Sequence, residues 1–177
     1  INSVTIPGAS LSSTSGSTYN FTETFNYSGY TFGTHTVTKT VTVSDDAGNA
    51  ATDTLNLTVT KRDTQAPIIS SYAADDTTLS VTSTSTTAYA NFTAIITDNV
   101  EIDYVRFEGN TPSSINGNEY SYSRSYRYAD LSFGSNTFTI PCYVQDTAGN
   151  SAILNETITV TKTDNIPPSI TNLSVSR

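Results

Sequence analysis

The sequence predicts an all-β protein, and its composition, its alternating strand patterns and an internal repeat support this prediction. Of its 177 residues, 33 are Thr and 24 are Ser, and only 36% are hydrophobic. Ser and Thr disfavour helices, whereas Thr, Val, Tyr and Phe suit a pleated, half-buried strand. No apolar run approaches the roughly 18 residues that indicate a membrane-spanning helix. We therefore expect no membrane span.

The internal repeat organises the whole chain. A shift of 101 positions aligns residues 1–76 with residues 102–177 without a gap, and 25 of the 76 pairs are identical. The strongest block joins the motif Asp-x-Ala-Gly-Asn to a later Thr-Val-Thr-Lys, and it occurs in both copies. Self-similarity of this kind indicates repeated structural units.

Two alternating strands flank the Asp-x-Ala-Gly-Asn motif in each copy. Val41 and Val43 alternate with threonines in the first copy, and Ile140 and Cys142 alternate with polar residues in the second. This spacing predicts strands with one buried face and one solvated face. Gly and Asn in the motif are expected to supply the positive φ angles of a tight hairpin.

The order of these motifs resembles the bacterial immunoglobulin-like tandem repeats. The resemblance rests on Ala66-Pro67 before an opening strand, the loop 97–100, the motif at 146–150 and a final Thr-Val-Thr strand. It implies tandem immunoglobulin-like β-sandwiches, which occur in surface adhesins, accessory regions of extracellular enzymes, phage structural proteins and pilus-like fibres. The paired Cys and the core Trp of antibody domains are absent, since the chain has one Cys and no Trp.

This resemblance divides the chain into an incomplete domain at 1–66, a complete domain at 67–167 and an extra C-terminal strand at 168–177. In the complete domain we expect strands after Pro67, near 90–97, near 101–107 and at 154–161. Because Ile1 aligns with Ile102, the N-terminal sandwich is predicted to lack its first two strands. The segment 168–177 aligns with the opening strand.

An incomplete sandwich exposes apolar core and unpaired backbone groups, and strand addition relieves both. We therefore expect an extracellular or cell-surface filament or pilus-like fibre, a homopolymer whose subunits join head to tail by β-strand complementation. The predicted polymer interface comprises Ile1, Val4, Ile6, Ile170, Leu173 and Val175. The competing hypothesis is a window of a longer array, such as an adhesin stalk or a phage structural protein presenting a binding tip. A chain that starts at Ile1 fits either a processed subunit or such a window.

Charge and reactive residues argue against nucleic-acid binding and catalysis. The net charge is −8 and the three Lys and five Arg are scattered, whereas phosphate binding needs clustered cations. Cys142 is the only Cys, which excludes an internal disulfide, and its strand phase predicts burial. His35 is expected in a turn. One His and one Cys on different repeats form no catalytic or zinc constellation, so we predict no enzyme.

Six Asn-x-Ser/Thr sequons are predicted glycosylation sites: Asn20, Asn26, Asn56, Asn91, Asn155 and Asn172. Their number is close to chance, because 15 Asn and the Ser/Thr fraction of this chain give roughly five. Strand phase is more informative, since it places Asn56 and Asn91 on solvated faces. Attached glycans are therefore expected, and bare Thr/Ser-rich faces are the alternative.

We predict no cofactor, with calcium at the domain junctions as the alternative. The acidic and amide residues near the junctions are Asp63, Asp98, Asn99, Glu101, Asp103, Asp164 and Asn165. Calcium prefers six to eight oxygen ligands, but Asp and Asn are also ordinary turn residues, and no fixed-spacing calcium loop is present.

A tyrosine stripe occupies even positions of one predicted strand, at Tyr120, Tyr122, Tyr126 and Tyr128. These rings could stack on sugars or fill a sandwich core. The aromatic residues at the equivalent positions of the first copy favour the core.

Overall fold

The strands that the alternating patterns predict are present in both halves of the chain. The computed structural model describes residues 1–85 and 87–174 and confirms the predicted all-β sandwich class. The chain divides into two units, Ile1–Asp63 and Thr64–Arg177.

The first unit contains five strands. They are β1 (Ser3–Thr5), β2 (Ser10–Ser15), β3 (Thr18–Thr22), β4 (Gly33–Ser44) and β5 (Ala50–Lys61). The strands β4 and β5 form a long antiparallel hairpin, and β1 pairs with β4 to give the order β1-β4-β5. The strands β2 and β3 form a separate hairpin, and a one-turn 3-10 helix at Tyr27–Gly29 precedes β4.

Within its described residues, the second unit has eight strands in two sheets. They are β6 (Ile68–Ala74), β7 (Thr78–Thr82), β8 (Thr87–Thr97), β9 (Ile102–Phe107), β10 (Ser114–Asn116), β11 (Glu119–Arg127), β12 (Gly134–Asp146) and β13 (Ser151–Thr163). One sheet has the order β10-β11-β8-β6, and the other has the order β7-β13-β12-β9. The pairing of β7 with β13 is parallel, and the other pairs are antiparallel.

The hydrophobic core lies between the two sheets of the second unit. Inward positions of both sheets contribute to it: Tyr72, Val81, Ala90, Phe92, Ala94, Ile96, Val105, Phe107, Tyr126, Ile140, Cys142, Val144, Ile158 and Val160, together with Leu131 after β11. All of the buried hydrophobic residues among the described residues belong to this unit. The alternation read from the sequence therefore identifies the buried face correctly.

Cys142 is one of these core residues, as its strand phase predicts. Its side chain is fully buried, and this burial raises the pKa of its thiol to about 12. A thiol in this environment stays protonated and unreactive at neutral pH.

The hairpin motif uses its Gly and Asn differently from the prediction. Gly48 and Gly149 have φ angles of 87° and 93°, but the Asn that follows each of them has no positive φ. Instead, Asn150 donates its backbone N–H and its side-chain amide to the carboxylate of Asp146, at 2.8 Å each. The prediction that Asn supplies a positive φ is therefore wrong, because Asn completes a hydrogen-bonded turn.

The number of missing strands also differs from the prediction. Three strands of the second unit, β6, β7 and β8, precede the position that aligns with Ile1, whereas two were expected. The sequence interpretation overlooked β7 because the chain leaves one sheet after Ala74 and joins the other at Thr78. A second correction concerns His35, which lies inside β4 and not in a turn.

No helix in the described residues has the length and apolar character needed to cross a membrane.

Candidate functional site

The first unit carries an open apolar groove. Its volume is about 220 Å³, and it is lined by Ile6, Ala9, Phe21, Glu23, Phe25, Lys39, Val41, Leu55 and Leu57. These side chains come from β3, β4, β5 and the segments beside β1 and β3. They lie on the face that alternation predicts to be buried, yet none of them is fully buried. The groove is therefore an uncovered core face.

The second unit shows what covers the equivalent face. Leu57 and Val59 are partly exposed in β5, whereas their equivalents Ile158 and Val160 in β13 are 0% exposed. In the second unit, Phe92 of β8 and other residues of β6–β8 pack over this face. The segment 1–63 has no counterpart of those strands, so the same sheet stays open.

A salt bridge lies in the floor of the groove. Lys39 Nζ contacts Glu23 Oε1 at 2.5 Å, and both side chains are largely shielded from solvent. The position of Lys39 is occupied in the second unit by Ile140, which is a fully buried core residue. The groove is thus mostly apolar but has one charged pair, which a covering strand would desolvate.

Two strand edges that are paired in the second unit have no strand beside them in the first unit, among the described residues. The strand β5 pairs only with β4, and β3 pairs only with β2. In the second unit the corresponding edge of β13 pairs with β7, and that of β11 pairs with β8. Open edges beside an uncovered face are the features that an added β-strand requires.

A lysine that lies beside two aromatic rings fixes the end of β13 in the second unit. Lys162 Nζ donates to the carbonyl oxygen of Leu131 at 2.9 Å. The same ammonium group lies 4.1 Å from the ring centroid of Tyr128 and 4.7 Å from that of Phe133. The lysine therefore joins β13 to the turn between β11 and β12.

The first unit contains the same arrangement, called here the lysine clamp: a lysine ammonium group that donates to a backbone carbonyl and lies beside a Tyr ring and a Phe ring. Lys61 Nζ donates to the carbonyl oxygen of Tyr30 at 2.8 Å and lies 4.0 Å and 4.7 Å from the centroids of Tyr27 and Phe32. The Lys, Tyr and Phe are identical in the two repeats, which is the signal that could have revealed the clamp from sequence. The end of β5 is consequently held in the same local arrangement as the end of β13.

The structure separates the predicted interface residues. Ile6 lines the groove and Val4 pairs with Val43 across β1 and β4, whereas Ile1 borders a shallow depression near the hairpin turn. Ile170 and Leu173 lie in an exposed segment without regular structure and are 86% and 90% exposed. The prediction for Val175 falls outside the described residues.

No family model and no curated protein sequence matches this chain. Its function is therefore inferred from the geometry of its two units.

The six sequon asparagines are all exposed, which confirms the solvated positions predicted for Asn56 and Asn91. Their side-chain amides differ in the hydrogen bonds that they make. Asn91 donates its side-chain amide to Asp75 at 2.8 Å and Asn20 donates to Ser13, whereas Asn56 accepts from Thr38 through its oxygen. Glycan attachment replaces one of the two N–H hydrogens of Nδ2, so it competes with the first two of these hydrogen bonds and leaves the third unaffected.

The acidic residues named for calcium do not form one cluster within the second unit. Asn99, Glu101, Asp103, Asp164 and Asn165 are all exposed. One carboxylate oxygen of Asp98 lies within 4.8 Å of one of Asp146, which the sequence interpretation treated only as a turn residue. Two carboxylates are fewer than the six to eight oxygens that calcium takes, so calcium stays a prediction.

The tyrosine stripe belongs to the core and its border. Tyr126 is buried, and Tyr120 and Tyr122 are partly buried against the core. The ring of Tyr122 stacks on Phe107 with centroids 5.4 Å apart. These contacts support the structural interpretation over stacking on sugars.

The turn carboxylate Asp146 should make the stability of the second unit pH-dependent. Burial raises its pKa, but the hydrogen bonds from Asn150, Ala148 and Gly149 outweigh this effect, and the net pKa is lowered. A lowered folded-state pKa stabilises the fold above the unfolded pKa of about 3.9, and this contribution is lost as pH falls through the folded pKa.

We therefore expect the urea midpoint of the second unit to fall steeply below about pH 4. Asp146→Asn should lower the urea midpoint at pH 7 and reduce the fall of the midpoint between pH 4 and pH 2. Urea unfolding of both proteins from pH 7 to pH 2 tests this, and parallel curves would contradict it. Asp103→Asn, at an exposed residue, is the charge-matched control.

Proposed function

We propose that this chain is a structural subunit of an extracellular filament or pilus-like fibre, built from immunoglobulin-like repeats and assembled head to tail by β-strand complementation. The observation that supports the proposal is the uncovered apolar face of the first unit. The second unit supports it by comparison, because its own strands β6–β8 fill the same face.

The energetic gain from covering the groove is large. Fully burying a Leu, Ile, Val or Phe side chain contributes about 1.5–3 kcal/mol. Val41, Leu55 and Leu57 are all partly or largely exposed in the first unit, and the fully buried Cys142 and Ile158 occupy two of the equivalent positions in the second. A strand that covers several of these side chains therefore gains several kcal/mol, which offsets part of the cost of ordering an unstructured segment.

The placement of acceptor and donor favours an open polymer. The acceptor face belongs to the first unit, while an exposed apolar segment that contains Ile170 and Leu173 follows the last strand of the second unit. Contacts between two different surfaces are heterologous, and they generate filaments unless the rotation closes a ring.

The surface chemistry supports an extracellular setting. Thr and Ser dominate the outward strand positions, and six exposed asparagines lie in sequons that can carry glycans. An acidic surface with a net charge of −8 favours solubility over adhesion to polyanions.

Assembly of the purified chain tests the proposal. We expect light scattering to show concentration-dependent growth and negative-stain electron microscopy to show fibres. Leu57→Asp places a charge in the groove and should abolish growth. Asn56→Asp introduces the same charge on the adjacent outward position and should leave growth intact.

A monomer that persists at the highest soluble concentration would overturn the fibre proposal. The second candidate function, a tandem-repeat stalk, predicts this outcome, because its covering strands come from the same polypeptide. The Pro-containing segments that follow both Lys61 and Lys162 are the observation that favours a stalk.

A further inference from the structure

The open edge of β5 is a copy of an edge that already binds a strand in this molecule. Thr58-Val59-Thr60-Lys61 in β5 is identical to Thr159-Val160-Thr161-Lys162 in β13. The second segment pairs in parallel with β7, and the Thr159 N–H donates to the carbonyl oxygen of Thr77 at 2.8 Å. The first segment has no such neighbour among the described residues.

The strand that occupies the β13 edge has a sequence copy in the C-terminal segment. The strand β7 contains Leu79-Ser80-Val81, and residues 173–175 are again Leu-Ser-Val. In β7 the Val81 side chain is 0% exposed and Leu79 packs against the core, whereas Ser80 is exposed. Leu173 is 90% exposed, and the described part of the segment that follows β13 contains no strand.

The alignment by 101 residues gives the C-terminal segment a different partner, and the structure argues against it. That alignment pairs Ile170 and Leu173 with Ile69 and Tyr72 of β6. The strand β6 is held by hydrogen bonds to β8, and the first unit has no counterpart of β8. The strand β7 is held by β13, whose counterpart β5 is present with its edge open.

The acceptor edge is also preformed. The lysine clamp fixes Lys61 as it fixes Lys162, with Nζ to carbonyl distances of 2.8 and 2.9 Å. In the second unit, Lys162 lies opposite Val81 and Val160 lies opposite Leu79. An incoming strand therefore meets the same acceptor residues along the edge of β5, a Val and a clamped Lys.

We infer that the segment around Leu173-Ser174-Val175 of a second copy adds to the edge of β5 as a parallel strand. Leu173 then lies opposite Val59. This inference rests on the proposed function and specifies the contact between subunits. Backbone hydrogen bonds supply affinity, and Leu173, at the position that Leu79 takes in the second unit, supplies register.

A disulfide trap between two full-length chains tests this register. One chain carries Val59→Cys and the other carries Leu173→Cys. Neighbouring strands lie about 4.8 Å apart, within the Cα separation of about 4.4–6.8 Å that a disulfide tolerates. The native Cys142 is buried and does not compete.

We expect the mixed chains to form a covalent heterodimer on mild oxidation. Ser174→Cys replaces Leu173→Cys in the control, because it points to the opposite face and should give only background cross-linking. Equal cross-linking of Ser174→Cys and Leu173→Cys would overturn the inference. Wild-type chain in excess should compete with the trap.

The disulfide trap tests the strand assignment, and the assembly measurement tests the fibre proposal, so either can be overturned without the other. If fibres form and the trap shows no register, the fibre proposal stands and this strand assignment is wrong. If the trap forms in register while the wild-type chain never grows into fibres, the strand assignment stands and the fibre proposal is wrong.

Discussion

Ile158→Ala should destabilise the second unit by about 2–5 kcal/mol, since it removes a fully buried side chain from a packed core and leaves a cavity. Ile158 lies in β13 and is covered by strands of the opposite sheet. Native-state hydrogen exchange of the β12 and β13 amides in the full chain measures the loss without interference from the first unit.

The matched substitution in the first unit is Leu57→Ala, at the equivalent position of β5. We expect a cost of only about 1 kcal/mol, because an exposed face loses less apolar burial and forms no closed cavity. Exchange of the β4 and β5 amides reports this value. Equal costs for Leu57→Ala and Ile158→Ala would mean that the groove is closed in solution.

The comparison becomes a second test of strand addition when it is repeated on assembled material. A covering strand buries Leu57, so the cost of Leu57→Ala should rise toward that of Ile158→Ala. The cost of Ile158→Ala should not change, because that side chain is already fully buried.

Much of this fold can be predicted from local pattern and self-similarity. Strict alternation identifies β4, β5, β12 and β13, because each has one buried and one solvated face. The strand β7 shows the same alternation, with Leu79 and Val81 between polar residues, but it is only five residues long and lies in a Ser/Thr-rich stretch. Its identity as a strand depends on parallel pairing with β13, about 80 residues later in the chain, and no local pattern encodes that partner.

The candidate site, like the fold, can be predicted from the sequence only in part. The repeat predicts which face lies open in residues 1–63, because the strands at 68–97 have no counterpart within that segment. The salt bridge between Lys39 and Glu23 could not be predicted, because its two residues are far apart in sequence and meet only after β3 and β4 pack. The acceptor edge could not be predicted from the sequence either. The role of Thr58–Lys61 is seen only from the strand that pairs with the equivalent edge in the second unit.

The lysine clamp carries the other large expected effect. Lys162→Met keeps the volume and the aliphatic contacts of the side chain but removes the ammonium group. The carbonyl oxygen of Leu131 then loses a charged hydrogen-bond donor, which costs about 1.5–3 kcal/mol. The contacts with the rings of Tyr128 and Phe133 add up to about 2 kcal/mol where they are desolvated.

We therefore expect Lys162→Met to lower the unfolding free energy of the second unit by about 2–4 kcal/mol. Thermal unfolding and exchange of the β13 amides both measure this change. Lys61→Met is the matched control, and it should cost about half as much because Lys61 is only partly buried. If strand addition covers the end of β5, assembly should raise the cost of Lys61→Met toward that of Lys162→Met. A cost for Lys162→Met below about 0.5 kcal/mol would show that the clamp contributes no more than an ordinary surface residue.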